Sequence, residues 1–296
     1  MIKLDDLTHK IKTYRFKNLN FYNIFIFFWK GLVNGSLSTR ASSLAFNFFL
    51  AFFPSIIVVF TLIPYIPING LEKTLIEIIA DILPPNTNKI TFNAINDIVH
   101  NPNGELLSLG FLLALYFSTN GINSLIEAFN SSYHINESRS MLKQKILSFI
   151  LTFIIGTILM IAILLIIFTK IIINYLVKIK LITSLSIKYL IFGKWIIIIS
   201  MLFFGITLLF NLGHAIKEKW KIITPGAVIS TFLIIITSIA FNFYIDNFSN
   251  YNKIYGSIGT LIILLLWIYI NAIILLIGFE LNVSILNAKK NKLTFK

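Results

Sequence analysis

Six long apolar runs, almost free of charged residues, divide the sequence and decide what it can fold into. A transmembrane helix needs about 20 mostly apolar residues to cross ~30 Å of hydrocarbon, and each run meets that length. The runs are continuous apolar blocks, whereas strands of a membrane β-barrel alternate apolar and polar residues. The sequence therefore predicts an all-α polytopic membrane protein with six transmembrane helices, at about residues 41–66, 106–128, 146–170, 195–214, 222–246 and 255–280.

The predicted transmembrane domain covers residues 40–284, between an N-terminal segment, 1–39, and a basic C-terminal tail, 285–296. Within the N-terminal segment, the apolar stretch 19–29 is too short to cross the membrane. We expect it to form a helix that lies in the membrane interface or packs against the bundle. The first external loop contains amphipathic stretches between residues 71 and 99, which predict short helices at the outer end of the bundle.

Basic residues indicate how the chain is oriented. With six spans, both termini and the second and fourth loops share one side of the membrane, and most of the 25 Lys and Arg residues lie there. The positive-inside rule places this side in the cytoplasm, so we expect a protein of the bacterial cytoplasmic (inner) membrane with both termini cytoplasmic. The third loop disagrees with the rule, because the opposite side then holds Lys170, Lys178, Lys180, Lys188 and Lys194.

The net charge of +13 indicates membrane lipids as partners, since basic cytoplasmic flanks attract anionic headgroups by about 1 kcal/mol per residue. Nucleic acid is not expected, because no basic stripe interleaved with aromatic residues lies on a soluble face. An envelope-assembly protein is a further partner that the sequence leaves open, as it does the oligomeric state. The chain has no cysteine and four scattered histidines, so we expect no cofactor, no metal site and no catalytic residue.

Polar residues inside the spans are the candidate functional residues, because polar groups in hydrocarbon are costly and usually face other helices or a wet cavity. A proline within the first span is expected to kink that helix. The candidates are Arg40, Asn47 and Pro54 in the first span, Ser118, Asn120, Asn123 and Glu127 in the second, Asn211 and His214 in the fourth, and Glu280 in the sixth.

Four of these candidates fall at the cytoplasmic ends of their spans: Arg40, Glu127, His214 and Glu280. One basic and two acidic groups at similar depth predict an ion pair, of Arg40 with either Glu280 or Glu127. The functional interpretation is a gate or a lipid headgroup site on the inner side. The structural interpretation is a pair that locks helix ends together. The sequence leaves both interpretations open.

Several motifs resemble those of a known family. The segment 40–46, RASSLAF, followed by Phe52-Phe53-Pro54, resembles the first-span signature of the YihY/BrkB membrane proteins, which have also been labelled ribonuclease BN. Similar motifs follow in order at 118–126, at Trp220 with Thr224 to Ala227, and at 255–259, 266–269 and 276–281. The chain departs from the family at Asn211 and His214, where many relatives have a basic residue and then a proline.

The resemblance implies six spans with cytoplasmic termini, and its last-span motifs add Gly256 and Trp267 to the candidate residues. It brings no settled activity. Because the sequence has no nuclease constellation, we expect neither a ribonuclease nor another enzyme. The leading hypothesis is transport, or handling of lipid or envelope components, through a cavity between spans. The alternative is a non-transporting scaffold or partner subunit for envelope assembly.

Overall fold

The computed structural model describes residues 36–62, 104–132, 139–179, 184–215, 221–247 and 257–294, together with positions 24, 25, 28, 29 and 31. These parts of the chain are helical and contain six helices long and apolar enough to cross a membrane, which confirms the predicted fold class. The helices are α1 (Leu37–Leu62), α2 (Gly104–Asn130), α3 (Met141–Lys178), α4 (Ser184–Leu212), α5 (Pro225–Asn247) and α6 (Ser257–Thr294).

The first external loop and its predicted amphipathic helices lie outside the described residues, as does most of the predicted interfacial helix at 19–29. Within that stretch, positions 24, 25, 28 and 29 are helical. The rings of Phe25 and Trp29 are stacked with their centroids 6.3 Å apart, and both side chains are exposed. One apolar face of this short helix is therefore uncovered.

The six helices form a closed ring. Each helix contacts the next one along the chain, and α6 returns to contact α1. Arg40 at the start of α1 is ion-paired with Glu280 in α6, so the beginning and the end of the bundle meet on one side. We call this the terminal side, which also holds the end of α2 and the start of α3, and we call the opposite side the far side.

The buried core lies in the terminal half of the ring. Its centre is a cluster of three phenylalanines from three helices: Phe129 of α2 stacks on Phe279 of α6 at 4.1 Å, and Phe210 of α4 meets both rings edge-on. Leu44 of α1 and Leu151 of α3 are fully buried around this cluster. Because lipid tails are as apolar as these side chains, van der Waals packing stabilises the cluster more than the exclusion of water does.

Two glycines let α5 and α6 cross in close contact. A Cβ atom on Gly278 would overlap the hydroxyl of Ser230, and one on Gly226 would overlap the carbonyl oxygen of Gly278. The Ser230 hydroxyl donates a hydrogen bond to the carbonyl of Ile274 at 3.3 Å across the same crossing. Small residues at a crossing allow two membrane helices to approach closely enough for such polar contacts.

Helices α2 and α3 contact each other on the terminal side through one face of each helix. On the terminal side Asn123 of α2 accepts a hydrogen bond from Ser148 of α3, which is fully buried. About three turns farther out, on the same two faces, Leu112 and Leu159 are 60% and 58% exposed. The faces that touch at the terminal side are therefore uncovered at the far side.

Helices α3 and α4 are longer than the predicted spans. With 38 residues, α3 is about 57 Å long at 1.5 Å per residue. Most of the predicted third loop is helical, since it contains no proline and only Gly193 to favour a helix end. Helix α6 likewise continues to Thr294, so the predicted basic tail is an extension of the last span through most of its length.

Replacing Gly278 with leucine is expected to force α5 and α6 apart and to lower the free energy of unfolding by about 1–3 kcal/mol, as overpacking does. Thermal denaturation of the purified variant in detergent measures the change. Gly156 of α3 provides the matched control, because nothing lies within 4 Å of a Cβ atom placed there. If Gly156→Leu and Gly278→Leu destabilise the protein equally, the close crossing does not stabilise the bundle.

Candidate functional site

A buried ion pair joins α1 to α6 on the terminal side. Arg40 donates from Nη2 to Oε1 of Glu280 at 2.9 Å, and the exposed fractions of the two side chains are 8% and 0%. Of the two partners that the sequence left open for Arg40, the structure brings Glu280 to it. Glu127 is exposed and forms a different set of contacts.

The ion pair also holds the end of α2. Arg40 Nη1 donates to the carbonyl oxygen of Ala128 at 2.8 Å, and Ser132, just after α2, donates to Oε2 of Glu280 at 2.9 Å. Both carboxylate oxygens thus accept a hydrogen bond, while Arg40 Nε is buried with no acceptor among the described residues. We call Arg40, Ala128, Ser132 and Glu280 the inner knot. It connects three of the six helices through one guanidinium group.

A second polar cluster joins α2 to α3 on the terminal side. Asn123 donates to Oε1 of Glu127 at 2.7 Å, and Gln144 donates to Asn123 at 3.1 Å and to Glu127 at 3.3 Å. Ser148 donates to the same oxygen of Asn123 at 3.2 Å. We call Asn123, Glu127, Gln144 and Ser148 the α2–α3 cluster. Because Glu127 is exposed, one end of this cluster faces the surroundings.

The chain after α4 is held by polar side chains from α2 and from the following loop. Asn130 accepts a hydrogen bond from the backbone N–H of Ala215 at 2.9 Å, and Arg139 donates to the carbonyl of Gly213 at 2.7 Å. A Cβ atom on Gly213 would crowd the ring of Phe129. His214 lies in this turn, with its ring 6.0 Å from that of Phe279. His214, at which this chain differs from many members of the family that it resembles, therefore lies against the central phenylalanine cluster.

The connection from α4 to α5 is closed by Asn211, whose amide donates to the carbonyl of Lys221 at 3.0 Å and accepts from its N–H at 3.2 Å. At the start of α5, Asn282 of α6 accepts from the N–H of Gly226 at 2.8 Å and donates to the hydroxyl of Thr224 at 3.0 Å. These contacts satisfy backbone groups at the helix start, which is a structural role.

The remaining candidates do not join these clusters. The side chain of Asn47 donates to the carbonyl of Ser43 within α1, and the carbonyl of Trp267 accepts from Asn271 within α6. Pro54 lies inside α1 and is buried. Ser118 and Asn120 are half-buried on α2. Gly256 lies outside the described residues.

Sequence reasoning did not identify Ser132, Gln144 and Ser148, which complete the two clusters. Ser148 and Gln144 lie in α3 one turn apart, near the start of a helix that is mostly apolar. That spacing was the one available signal, because residues four apart share a helix face. Ser132 lies in a loop, where a serine carries no distinguishing pattern.

The two clusters supply hydrogen-bond donors, acceptors and charges. The hydroxyl of Ser132 contacts the carboxylate of Glu280, but this carboxylate is buried and already ion-paired with Arg40. Within the described ranges no group of three or more His, Cys, Asp or Glu residues could hold a metal ion. The chemistry that these groups offer is hydrogen bonding and ion pairing.

Replacing Glu280 with glutamine is expected to lower the free energy of unfolding by about 3–5 kcal/mol, because it leaves the buried charge of Arg40 uncompensated. Glu127→Gln, at an exposed position of similar depth, is the matched control and should change stability by less than about 0.5 kcal/mol. Denaturation in detergent compares the two variants.

The double variant Arg40→Met with Glu280→Met separates the charge from the contact. An apolar pair of similar size restores packing without a buried charge, so it should destabilise the protein less than Glu280→Gln alone. If the double variant loses as much stability as Arg40→Met and Glu280→Met lose together, the two residues are not coupled.

A family model and several known proteins match most of this chain. The family model described as "Virulence factor BrkB" matches residues 28–295. The "Putative ribonuclease-like protein YfkH" of Bacillus subtilis is 29% identical over 252 residues, which cover 85% of this chain and 91% of that protein. The "UPF0761 membrane protein NTHI0384" of Haemophilus influenzae is 28% identical over 263 residues, covering 88% and 93%.

A longer relative, the UPF0761 membrane protein of Xanthomonas campestris pv. campestris strain B100, is 26% identical over 260 residues, and the match covers 86% of this chain and 59% of that protein. No solved structure matches the chain. The family match covers nearly all of the sequence, and the six apolar helices agree with relatives that are named as membrane proteins. The chain belongs to the BrkB virulence-factor family of multi-pass membrane proteins.

Proposed function

We propose that this protein handles lipids or lipid-linked envelope components by letting them enter sideways between α2 and α3, and that the inner knot closes this path on the terminal side. The protein would act in the bacterial cytoplasmic membrane with both termini in the cytoplasm, as the distribution of lysine and arginine favours. The path would then be closed toward the cytoplasm and open toward the far side.

The exposed faces of α2 and α3 on the far side are the observation that carries the proposal. We infer from them that a cleft opens between the two helices. Its walls are apolar and exposed: Leu112 and Tyr116 on α2 are 60% and 62% exposed, and Leu159 on α3 is 58% exposed. Its base is the α2–α3 cluster, which supplies amide and carboxylate groups where the walls meet. Apolar walls above a polar base suit an amphiphile, whose chains need apolar surface and whose headgroup needs hydrogen bonds.

The inner knot is better suited to a contact that opens and closes than to a permanent structural contact. A buried ion pair contributes little net stability compared with apolar residues of the same size, because both charges lose their water. An ion pair has two distinct states, paired and separated. In the separated state each charge must contact water or another partner. Movement of α6 by a few ångströms would release α1 and the end of α2 together, because Glu280 touches both through Arg40 and Ser132.

The second candidate function is a non-transporting scaffold for envelope assembly. It is favoured by the dense packing of Phe129, Phe210 and Phe279 in the terminal half. In that case the inner knot locks helix ends and does not open. An enzymatic role is not proposed; the ribonuclease-like name belongs to the Bacillus relative, and the contact of the Ser132 hydroxyl with the Glu280 carboxylate lies within a buried ion pair.

Cysteine labelling tests the proposal, because the chain has no native cysteine. Tyr116→Cys, Asn120→Cys and Asn123→Cys are each treated with a membrane-impermeant maleimide from either side of the membrane. A path for a polar headgroup must hold water, so we expect these positions to react, and to react faster from the terminal side when Ser132→Ala weakens the inner knot.

The matched control is Ile161→Cys, at a position 51% exposed in the middle of α3, which faces hydrocarbon and should not react. If the three α2 positions stay as unreactive as residue 161, with and without Ser132→Ala, the bundle is dry. The scaffold function then replaces the proposed one.

A further inference from the structure

Helices α3 and α4 continue on the far side past their uncharged stretches. The uncharged part of α3 runs from 146 to 169 and that of α4 from 195 to 213 within the described residues. The α3 stretch alone covers ~30 Å of hydrocarbon. We define the far hairpin as residues 170–179 and 184–194, which continue as helix past these limits. The continuation is about 14–16 Å long at 1.5 Å per residue.

The far hairpin exposes apolar side chains in several directions. Tyr189, Leu190, Ile191 and Phe192 follow one another in α4, so their side chains point in four directions around the helix. Their exposed fractions are 68%, 42%, 39% and 66%. On α3, Ile172, Tyr175 and Val177 are exposed as well. An apolar surface of this extent in water is not stable unless something covers it.

The charges of the far hairpin all have one sign. No aspartate or glutamate occurs between residues 138 and 217, while the hairpin carries Lys170, Lys178, Lys188 and Lys194. Lys178 and Lys188 are exposed, and the ammonium group of Lys194 lies 5.2 Å from the ring centroid of Trp195. Lysine beside tyrosine and tryptophan is typical of a helix at the level of lipid headgroups.

We propose that the far hairpin binds anionic phospholipids of the surrounding leaflet and raises the bilayer surface around itself. The acyl chains would cover the exposed side chains of Tyr175, Tyr189 and Phe192, while the phosphates would lie against Lys178 and Lys188. A span longer than the hydrocarbon thickness is accommodated by local thickening of the bilayer. Here the lysines select the lipids that do so by charge. This binding surface is separate from the path between α2 and α3.

The distribution of the exposed residues favours lipid over a protein partner. A protein that docks on a helix covers one face of it, whereas lipid surrounds it. The four consecutive exposed residues from Tyr189 to Phe192 need cover on every side. An anionic lipid also explains why lysines accumulate on the side of the membrane where the positive-inside rule disfavours them.

The test uses Tyr175→Cys, at a position 63% exposed, labelled with a fluorophore whose emission moves to shorter wavelength in an apolar environment. The labelled protein is reconstituted into vesicles of phosphatidylcholine alone or of phosphatidylcholine with phosphatidylglycerol. We expect a blue shift in the anionic vesicles relative to the neutral ones, and we expect Lys178→Gln with Lys188→Gln to abolish most of it.

The matched control is Lys143→Gln with Lys145→Gln, which removes two exposed lysines from the terminal end of α3 and should leave the shift intact. Equal emission in both kinds of vesicle would overturn the proposal, as would a shift that survives the loss of Lys178 and Lys188. Emission that follows the protein-to-lipid ratio, whatever the headgroup, would show that a second copy covers the hairpin, and would overturn it too.

Discussion

The ion pair between Arg40 and Glu280 is the constraint on which the rest of the bundle depends. Each charge would cost several kcal/mol if it were buried alone, so α1 and α6 must meet wherever the other helices go. That contact closes the ring between the first and the last helix, and Ser132 and the Ala128 carbonyl draw the end of α2 into it. The phenylalanine cluster packs beside this contact, and the close crossing at Gly226 and Gly278 brings α5 against the same end of α6.

Concentrating the packing on the terminal side leaves the far side free to differ. There the facing residues of α2 and α3 are exposed, and α3 and α4 continue as helix past their uncharged stretches. A membrane protein can afford such exposed apolar faces because lipid covers them, with no penalty from water. The proposed path and the proposed lipid-binding hairpin both use this freedom, but they lie on different faces and rest on different residues. A protein that recruits anionic lipid at one surface and admits amphiphiles at another would combine the two.

The sequence was sufficient to predict the fold class, because span length and the absence of charge depend only on bilayer thickness. It placed Arg40, Glu127 and Glu280 at one depth, but it could not choose the partner of Arg40, since the order of helices around the ring is not encoded in any one span. The exposed faces of α2 and α3 on the far side could not be predicted from the sequence either, because buried and lipid-facing positions use the same apolar residues. The lysines of the third loop suggested a loop, while the structure continues helices through Lys170, Lys178, Lys188 and Lys194, since charge alone does not end a helix.

The central claim is that the bundle is closed at the terminal side and open between α2 and α3 at the far side. The most direct measurement is the distance distribution between spin labels at Leu112→Cys and Leu159→Cys in lipid nanodiscs, compared with labels at Glu127→Cys and Gln144→Cys across the same two helices. We expect a longer and broader distance distribution for the far pair than for the terminal pair. We also expect the distribution of the terminal pair to change when Ser132→Ala weakens the inner knot. Two equally short, narrow distributions that do not respond to Ser132→Ala would contradict it.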